Sequence, residues 1–96
     1  IRDRLESNIQ YFRSLANSYN IPVMQSETPI QPILIGDELV ALQVAEALLS
    51  EGFYVKAIRS PTVPKGTARI RVTLTAAHSE QHISLLCEKL KTVFER

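Results

Sequence analysis

The sequence predicts a small two-layer α+β domain in which three helices pack on a three-stranded, mostly antiparallel sheet. Its 96 residues are enough for one domain. Three segments repeat apolar residues at steps of three and four, which indicates helices, and three shorter ones are continuously apolar or alternating, which indicates strands. The predicted order is αβαββα, and helices that cover a short sheet give two layers.

The first helix is predicted from about Arg2 to Tyr19. One face of this segment is apolar, as in an amphipathic helix, and consists of Leu5, Ile9, Phe12, Leu15 and Tyr19. Asn20 and Pro22 end the helix because proline cannot continue the hydrogen-bond ladder and biases its predecessor away from helical backbone. The polar residues 25–28 have no period and are expected to form a connector.

The next two segments form a strand and a helix. Residues 32–36, PILIG, are a short apolar run typical of a central strand or one covered on both faces. Asp37 can cap the following helix, and Gly52 stands where a glycine often follows a helix end. The apolar residues between them have helical spacing and are Leu39, Val40, Val44, Ala47 and Leu48.

The second and third strands flank a proline-containing loop. Residues 53–58, FYVKAI, are rich in aromatic and β-branched residues and predict a strand. Residues 59–68 form a loop that its two prolines stiffen, and a stiff loop of this length suits binding. In residues 69–75 Ile70, Val72 and Leu74 alternate with arginine and threonine, so the two sets should point to opposite faces.

Ser79 can cap a last helix. The apolar face of this helix consists of Ile83, Leu86, Leu90, Val93 and Phe94. Cys87 lies beside that face and is expected to be a small core residue rather than a reactive thiol.

The composition excludes several classes of protein. A net charge of +1 with 45% hydrophobic residues is unlike a disordered segment, a collagen or a coiled coil. No apolar run approaches the ~20 residues of a membrane span, so no membrane partner is expected. A single cysteine and the charged start of the chain favour the cytoplasm. The basic strand lacks interleaved aromatic residues, so no nucleic-acid partner is expected.

Basic residues are concentrated in one part of the chain. No acidic residue lies between Glu51 and Glu80, and this stretch carries Lys56, Arg59, Lys65, Arg69 and Arg71. For any one of these residues the ordinary interpretation is a solvated side chain on an exposed sheet face. A basic segment on a stiff loop and a strand face can also attract an anion. Arg71 is the strongest candidate, because a mid-strand arginine should be partly buried and then needs an anionic partner. That partner is either a distant carboxylate of the same chain or a ligand.

Other chemistry-bearing residues form weaker patterns. His78 and His82 are four residues apart and could share a helix face, but no third ligand is evident, so no metal site is expected. The sequence has no glycine-rich phosphate loop, nucleophile elbow or paired-carboxylate site. None of these motifs therefore indicates a catalytic site within the 96 residues.

Residues 57–78, AIRSPTVPKGTARIRVTLTAAH, closely resemble the C-terminal signature of the α-oxoamine synthases. These are pyridoxal-phosphate enzymes of the aspartate aminotransferase fold. Residues 28–37, TPIQPILIGD, resemble the segment that precedes this signature, and the resemblance extends from about Ile21 to Glu95. Many members have a proline at the position of Ser60. We expect the serine to loosen the loop slightly.

The resemblance implies that residues 1–96 are the C-terminal small domain of a larger enzyme. A preceding segment of roughly 250–300 residues, at the usual size of domains, would carry the lysine and the other residues that bind pyridoxal 5′-phosphate. No cofactor-binding residue is therefore expected in these 96 residues, and the segment alone is expected to be inactive. The first residue, Ile1, is not a methionine, which agrees with this expectation.

The resemblance also implies a reaction, a decarboxylative condensation of an amino acid with an acyl thioester in a homodimeric enzyme. The string PIQP at residues 29–32 favours L-alanine and pimeloyl-CoA or pimeloyl-acyl-carrier protein, a condensation of biotin biosynthesis. Glycine C-acetyltransferase, 5-aminolevulinate synthase and serine palmitoyltransferase share much of the signature and stay as alternatives. A free-standing αβ module that binds an anionic metabolite is the alternative from a different class.

Three residue roles follow from the resemblance. The position of Arg71 implies a grip on the carboxylate of the amino acid, in agreement with the strand-face argument. The position of Thr62 implies a place at the entrance for the acyl substrate. Arg59 is expected to be a helper residue beside them.

Overall fold

The computed structural model describes residues 2–95. Its helices and strands follow in the order α1 (Arg2–Ser18), β1 (Ile30–Gly36), α2 (Glu38–Ser50), β2 (Tyr54–Ile58), β3 (Ala68–Thr73) and α3 (Glu80–Phe94). The predicted α+β class and the order αβαββα are confirmed. No helix within residues 2–95 is both long and apolar enough to cross a membrane.

The three strands form one antiparallel sheet in the order β1-β3-β2. The last strand in the chain is therefore the central one, paired on both sides. Residues 22–24 add a short extended segment beside β1, in which Val23 lies opposite Ile33 and the Met24 N–H donates to the Pro32 carbonyl at 2.8 Å. The sequence did not predict this pairing, because it depends on contacts between segments and not on local pattern.

All three helices lie on the same face of the sheet. Ile33, Ile70 and Val72 point toward them and are completely buried. The helices contribute their own fully or almost fully buried residues to this core, namely Phe12, Leu48, Ile83, Leu86 and Leu90. Burying each large apolar side chain contributes roughly 1.5–3 kcal/mol, so this shared core holds the two layers together.

The helix ends follow the predicted capping pattern. The Asp37 carboxylate accepts hydrogen bonds from the backbone N–H groups of Leu39 at 2.9 Å and Val40 at 3.0 Å. Ser79 caps α3 by accepting from the His82 N–H at 3.1 Å. Gly52 follows α2 with φ of 92°, a backbone conformation that favours glycine.

A buried amide ties α1 to the turn before α3. The Asn8 side chain donates to the carbonyls of Thr75 at 2.8 Å and His78 at 2.9 Å. The Tyr11 and Ser84 hydroxyls share a hydrogen bond of 2.7 Å that joins α1 to α3 itself. These bonds fix the first helix against the last, so both ends of the described chain belong to one core.

Candidate functional site

The face of the sheet opposite the helices carries the candidate site, and we call it the open face. It consists of Ile30, Pro32 and Leu34 from β1, Arg69, Arg71 and Thr73 from β3, and Tyr54, Lys56 and Ile58 from β2. None of these residues is acidic. Ile30 is 41% exposed, Leu34 39% and Tyr54 67%, so apolar side chains surround the cationic ones on a surface that this chain leaves uncovered.

Arg71 lies at the centre of the open face. Its Cα partners are Pro32 on one side and Lys56 on the other. Its side chain is exposed, so the prediction of partial burial was wrong. The physical reason is that the helices cover only the opposite face, which the alternation of Ile70 and Val72 fills.

No carboxylate of the described residues neutralises Arg71. The ion pairs within residues 2–95 are Lys89 with Glu51 at 3.3 Å and Lys91 with Glu95 at 3.5 Å. An intramolecular partner, which the sequence left open, is therefore not found in residues 2–95. The guanidinium is available to an anion from outside these residues.

Lys56 adds a second positive charge beside Arg71. The two residues are directly opposite each other in neighbouring strands, a pairing that is unfavourable for like charges. A depression of about 270 Å³ beside them also includes Tyr54 and Thr73. An anion bound there would relieve the repulsion between the two cations.

Arg69 lies on the same face but is already engaged. Its Nε and Nη2 atoms donate to the Thr67 carbonyl at 3.2 and 3.1 Å, and its Nη1 lies 3.6 Å from the Met24 sulfur. Sequence alternation predicts the shared face of Arg69 and Arg71 but does not distinguish them. The hydrogen bonds of Arg69 do distinguish them, because they engage its guanidinium. Arg71 is therefore the better candidate to bind a ligand.

Thr62 and Arg59 lie on the loop of residues 59–67 that joins β2 to β3. Both are exposed. Within the loop the Val63 N–H donates to the Arg59 carbonyl at 3.3 Å. Arg71 lies three residues inside β3, roughly 10 Å along the strand from the loop at the usual rise per residue. The structure thus places the three predicted residues on a loop and on the strand that follows it.

Glu38, at the start of α2, holds this loop. Its Oε1 atom accepts hydrogen bonds from the Ser60 N–H at 3.0 Å and from the Ser60 hydroxyl. These bonds, the hydroxyl foremost, keep the pKa of the Glu38 carboxyl below its ordinary value. Ser60 therefore joins the loop to the start of α2, a contact that the expectation of a looser loop did not include.

Nothing in the sequence signals the contact between Glu38 and Ser60. An acidic residue in the first turn of a helix is favourable by itself, so Glu38 has an ordinary explanation. The two residues are 22 positions apart, and only the packing of α2 beside the loop brings them together.

His78 and His82 form part of the packing around Phe53. The ring of Phe53 stacks on that of His82 at 4.2 Å between centroids, and the two histidine rings are 5.1 Å apart. The Nδ1 atom of the buried His78 accepts from the Thr75 N–H at 3.1 Å. No group of three or more His, Cys, Asp or Glu side chains in the described part of the chain could hold a metal ion.

Comparisons of the sequence place the chain in a known protein family. The model of the family described as aminotransferase class I and II matches residues 1–90. The chain is 47% identical over 92 residues to an 8-amino-7-oxononanoate synthase of Saccharophagus degradans and 50% identical over 93 residues to one of Serratia proteamaculans. These matches cover 96% and 97% of the chain but 23% and 24% of the relatives. The chain thus spans about a quarter of their length.

Comparisons of structures support the same fold. A crystal structure of 8-amino-7-oxononanoate synthase from Francisella tularensis has a TM-score of 0.83 at 22% identity, covering 98% of this chain and 27% of that chain. A serine palmitoyltransferase of Sphingomonas wittichii has a TM-score of 0.80 at 21% identity, covering 98% of this chain and 24% of that chain. At these identities the similarity confirms the predicted fold.

Proposed function

The chain belongs to the aminotransferase class I and II family, and from this we propose that it is the C-terminal domain of an 8-amino-7-oxononanoate synthase. The identities of 47% and 50% to relatives of that name support the assignment. The complete enzyme would condense L-alanine with a pimeloyl thioester in biotin biosynthesis and release carbon dioxide. The observation that supports the site best is the guanidinium of Arg71, which pairs with no carboxylate in residues 2–95 and lies at the centre of an open face without acidic residues.

The part of this chain in the reaction is to bind and orient substrate. The planar guanidinium of Arg71 can donate two parallel hydrogen bonds to the carboxylate of alanine. Thr62 would line the entrance for the pimeloyl chain, with Arg59 beside it. The loop joins β3 directly, so one hairpin would contact both substrates.

Pyridoxal 5′-phosphate does not fit the residues present. The side chains of Lys89 and Lys91 are paired with carboxylates, and those of Lys56 and Lys65 are exposed. None of the four lies in an enclosed pocket within the described residues. We place the cofactor and the catalytic residues in polypeptide outside these 96 residues, with the present chain as the C-terminal small domain.

We further propose that the complete enzyme is a cytoplasmic homodimer. The single cysteine, Cys87, is a free thiol and not part of a disulfide, which suits a reducing compartment. The exposed apolar residues of the open face, Ile30, Leu34 and Tyr54, are suited to contact with other parts of such an assembly.

Replacing Arg71 with alanine in the complete enzyme tests the carboxylate site. Losing a charge-assisted hydrogen-bond pair costs about 1.5–3 kcal/mol, so kcat/KM for alanine should fall roughly tenfold to a hundredfold. Arg69→Ala is the matched control, because the Arg69 guanidinium is engaged by the Thr67 carbonyl. Unchanged kinetics in Arg71→Ala would remove this residue from the site.

A substrate panel on the complete enzyme tests the choice of reaction. Alanine, glycine and serine would each be combined with pimeloyl, acetyl, succinyl and palmitoyl thioesters, and the products would be identified by mass. We expect the highest kcat/KM for alanine with the pimeloyl thioester. A preference for glycine with the acetyl or succinyl thioester, or for serine with the palmitoyl thioester, would assign the chain to another member of the family.

A further inference from the structure

The loop of residues 59–67 is tied to α2 by a single side chain. Among the described residues, Glu38 is the only residue outside the loop whose side chain hydrogen-bonds to residues 59–64. One carboxylate oxygen accepts from both donors of Ser60. Arg59 and Lys65, on the same loop, add favourable charge beside the carboxylate.

We propose that Glu38 is a positioning residue that fixes the loop and thereby sets the affinity of the enzyme for its acyl thioester. This inference rests on the proposed function, in which Thr62 on that loop lines the entrance for the acyl substrate. Glu38 would act through Ser60 and would not touch the substrate itself.

The contact constrains Thr62 through the backbone. Pro61 follows Ser60 directly, and its ring fixes φ, so fixing Ser60 orients the chain that enters Thr62. On the other side of Thr62, the Val63 N–H donates to the Arg59 carbonyl at 3.3 Å. Thr62 therefore lies inside a short turn whose first residues are held by Glu38.

Glu38 itself has a rigid support. It is the first residue of α2, directly after the cap residue Asp37. The helix is held on the sheet by its buried residues Ala41, Val44 and Leu48. A loop hydrogen-bonded to this helix end moves with the sheet that carries Arg71, so the two proposed substrate contacts keep a fixed geometry.

Ser60 is chemically suited to this contact. It offers two donors, a backbone N–H and a hydroxyl, to one carboxylate oxygen. A proline at this position would have neither donor. The Glu38–Ser60 contact therefore depends on the residue at which this chain departs from the resembled signature.

The contact is exposed, and exposed charged contacts add little to global stability. Its loss should therefore act on the loop and not on the whole domain. We expect the thermal midpoint of the enzyme to stay nearly unchanged when Glu38 is replaced, which separates positioning from a general structural role.

The test uses the complete enzyme with the variants Glu38→Ala, Glu38→Gln and Ser60→Ala. Glu38→Ala should raise KM for the pimeloyl thioester about three- to tenfold, a modest effect because the two hydrogen bonds that it removes are exposed. KM for alanine and kcat should change less than about twofold. Glu38→Gln keeps an acceptor oxygen and should recover part of the affinity. The control is Glu46→Ala, an exposed residue on the same helix.

Two further measurements make the result specific. The double variant Glu38→Ala/Ser60→Ala should be no worse than Glu38→Ala, because both substitutions break the same contact. Hydrogen–deuterium exchange at residues 59–67 should be faster in Glu38→Ala and unchanged in Glu46→Ala, whether or not substrate is present.

The outcomes distinguish this inference from the proposed function. If the wild-type enzyme does not condense alanine with the pimeloyl thioester, the proposed function fails, and the acyl part of the inference fails with it. If the wild type has the activity but Glu38→Ala leaves either the loop exchange or the acyl KM unchanged, the inference alone is overturned. Equal increases in KM for alanine and for the thioester would overturn it as well.

Discussion

His78 is a buried imidazole that serves the fold as a hydrogen-bond acceptor. Its Nδ1 atom accepts from the Thr75 N–H, so a proton on Nδ1 would abolish that bond. Burial, with a smaller contribution from the charge of His82, lowers the pKa of His78 below its ordinary value of 6.5. The neutral form therefore belongs to the native structure.

The lowered pKa of His78 predicts a pH-dependent stability. Below pH 6.5 the unfolded chain binds a proton that the folded chain resists, so the free energy of unfolding should fall as pH decreases toward the folded pKa. Urea denaturation of the chain at a series of pH values measures this. In His78→Asn the corresponding slope should disappear, and an unchanged slope would show that other groups cause it.

Cys87 is expected to be unreactive in the native chain. Its side chain is fully buried, and burial raises the pKa of the thiol to about 12, so almost no thiolate is present at neutral pH. A thiol reagent should label the chain only as fast as it unfolds, and immediately in denaturing urea. Rapid stoichiometric labelling without denaturant would contradict the buried position.

Thr62 provides a prediction on the acyl side. In the complete enzyme, Thr62→Ala should raise KM for the pimeloyl thioester more than KM for alanine, because the residue is proposed to line the acyl entrance. Steady-state kinetics with each substrate varied in turn measures both constants. Equal effects on the two constants would place Thr62 elsewhere.

At the residue scale, the local sequence pattern predicted the direction of side chains more reliably than it predicted how buried they are. The two-residue alternation placed Arg71 and Val72 on opposite faces, and the structure confirms it. The exposure of Arg71 was not predictable, because the local pattern does not show whether a second layer also covers the arginine face. The contact of Glu38 with Ser60 was not predictable either, since it joins residues distant in sequence.

At the scale of elements, the N-cap of α3 gives a stability prediction. Ser79→Ala removes the acceptor for the His82 N–H and should lower the free energy of unfolding by about 1 kcal/mol. Urea denaturation measures the difference. Ser14→Ala, at an exposed position of α1, should change it by less than about 0.5 kcal/mol; equal effects would show that Ser79 does not act as a cap.

Helix and strand positions were predictable because their signals are local. Asp37, Ser79 and Gly52 mark helix ends through their own backbone and side-chain chemistry, and each has the predicted role. The strand order β1-β3-β2 and the pairing of residues 22–24 with β1 were not predictable. Such pairing is decided by contacts between distant segments, for which one sequence contains no local signal.

At the scale of the whole molecule, the chain alone should not bind the cofactor of its family. The lysines of the described part lie on the surface, and none is enclosed by groups that could hold a phosphate. Addition of pyridoxal 5′-phosphate to the 96-residue chain should give only the absorbance spectrum of the free cofactor. A stable new visible band, resistant to dialysis, would show that a lysine of this chain forms a cofactor site.

The sheet edges have a consequence for how copies of the chain can associate. The outer side of β1 is paired in its middle part with residues 22–24, whereas β2 has no strand partner other than β3 among the described residues. An unpaired strand margin is a template for pairing with another chain. Edge-to-edge association between copies of the described domain should therefore start at β2.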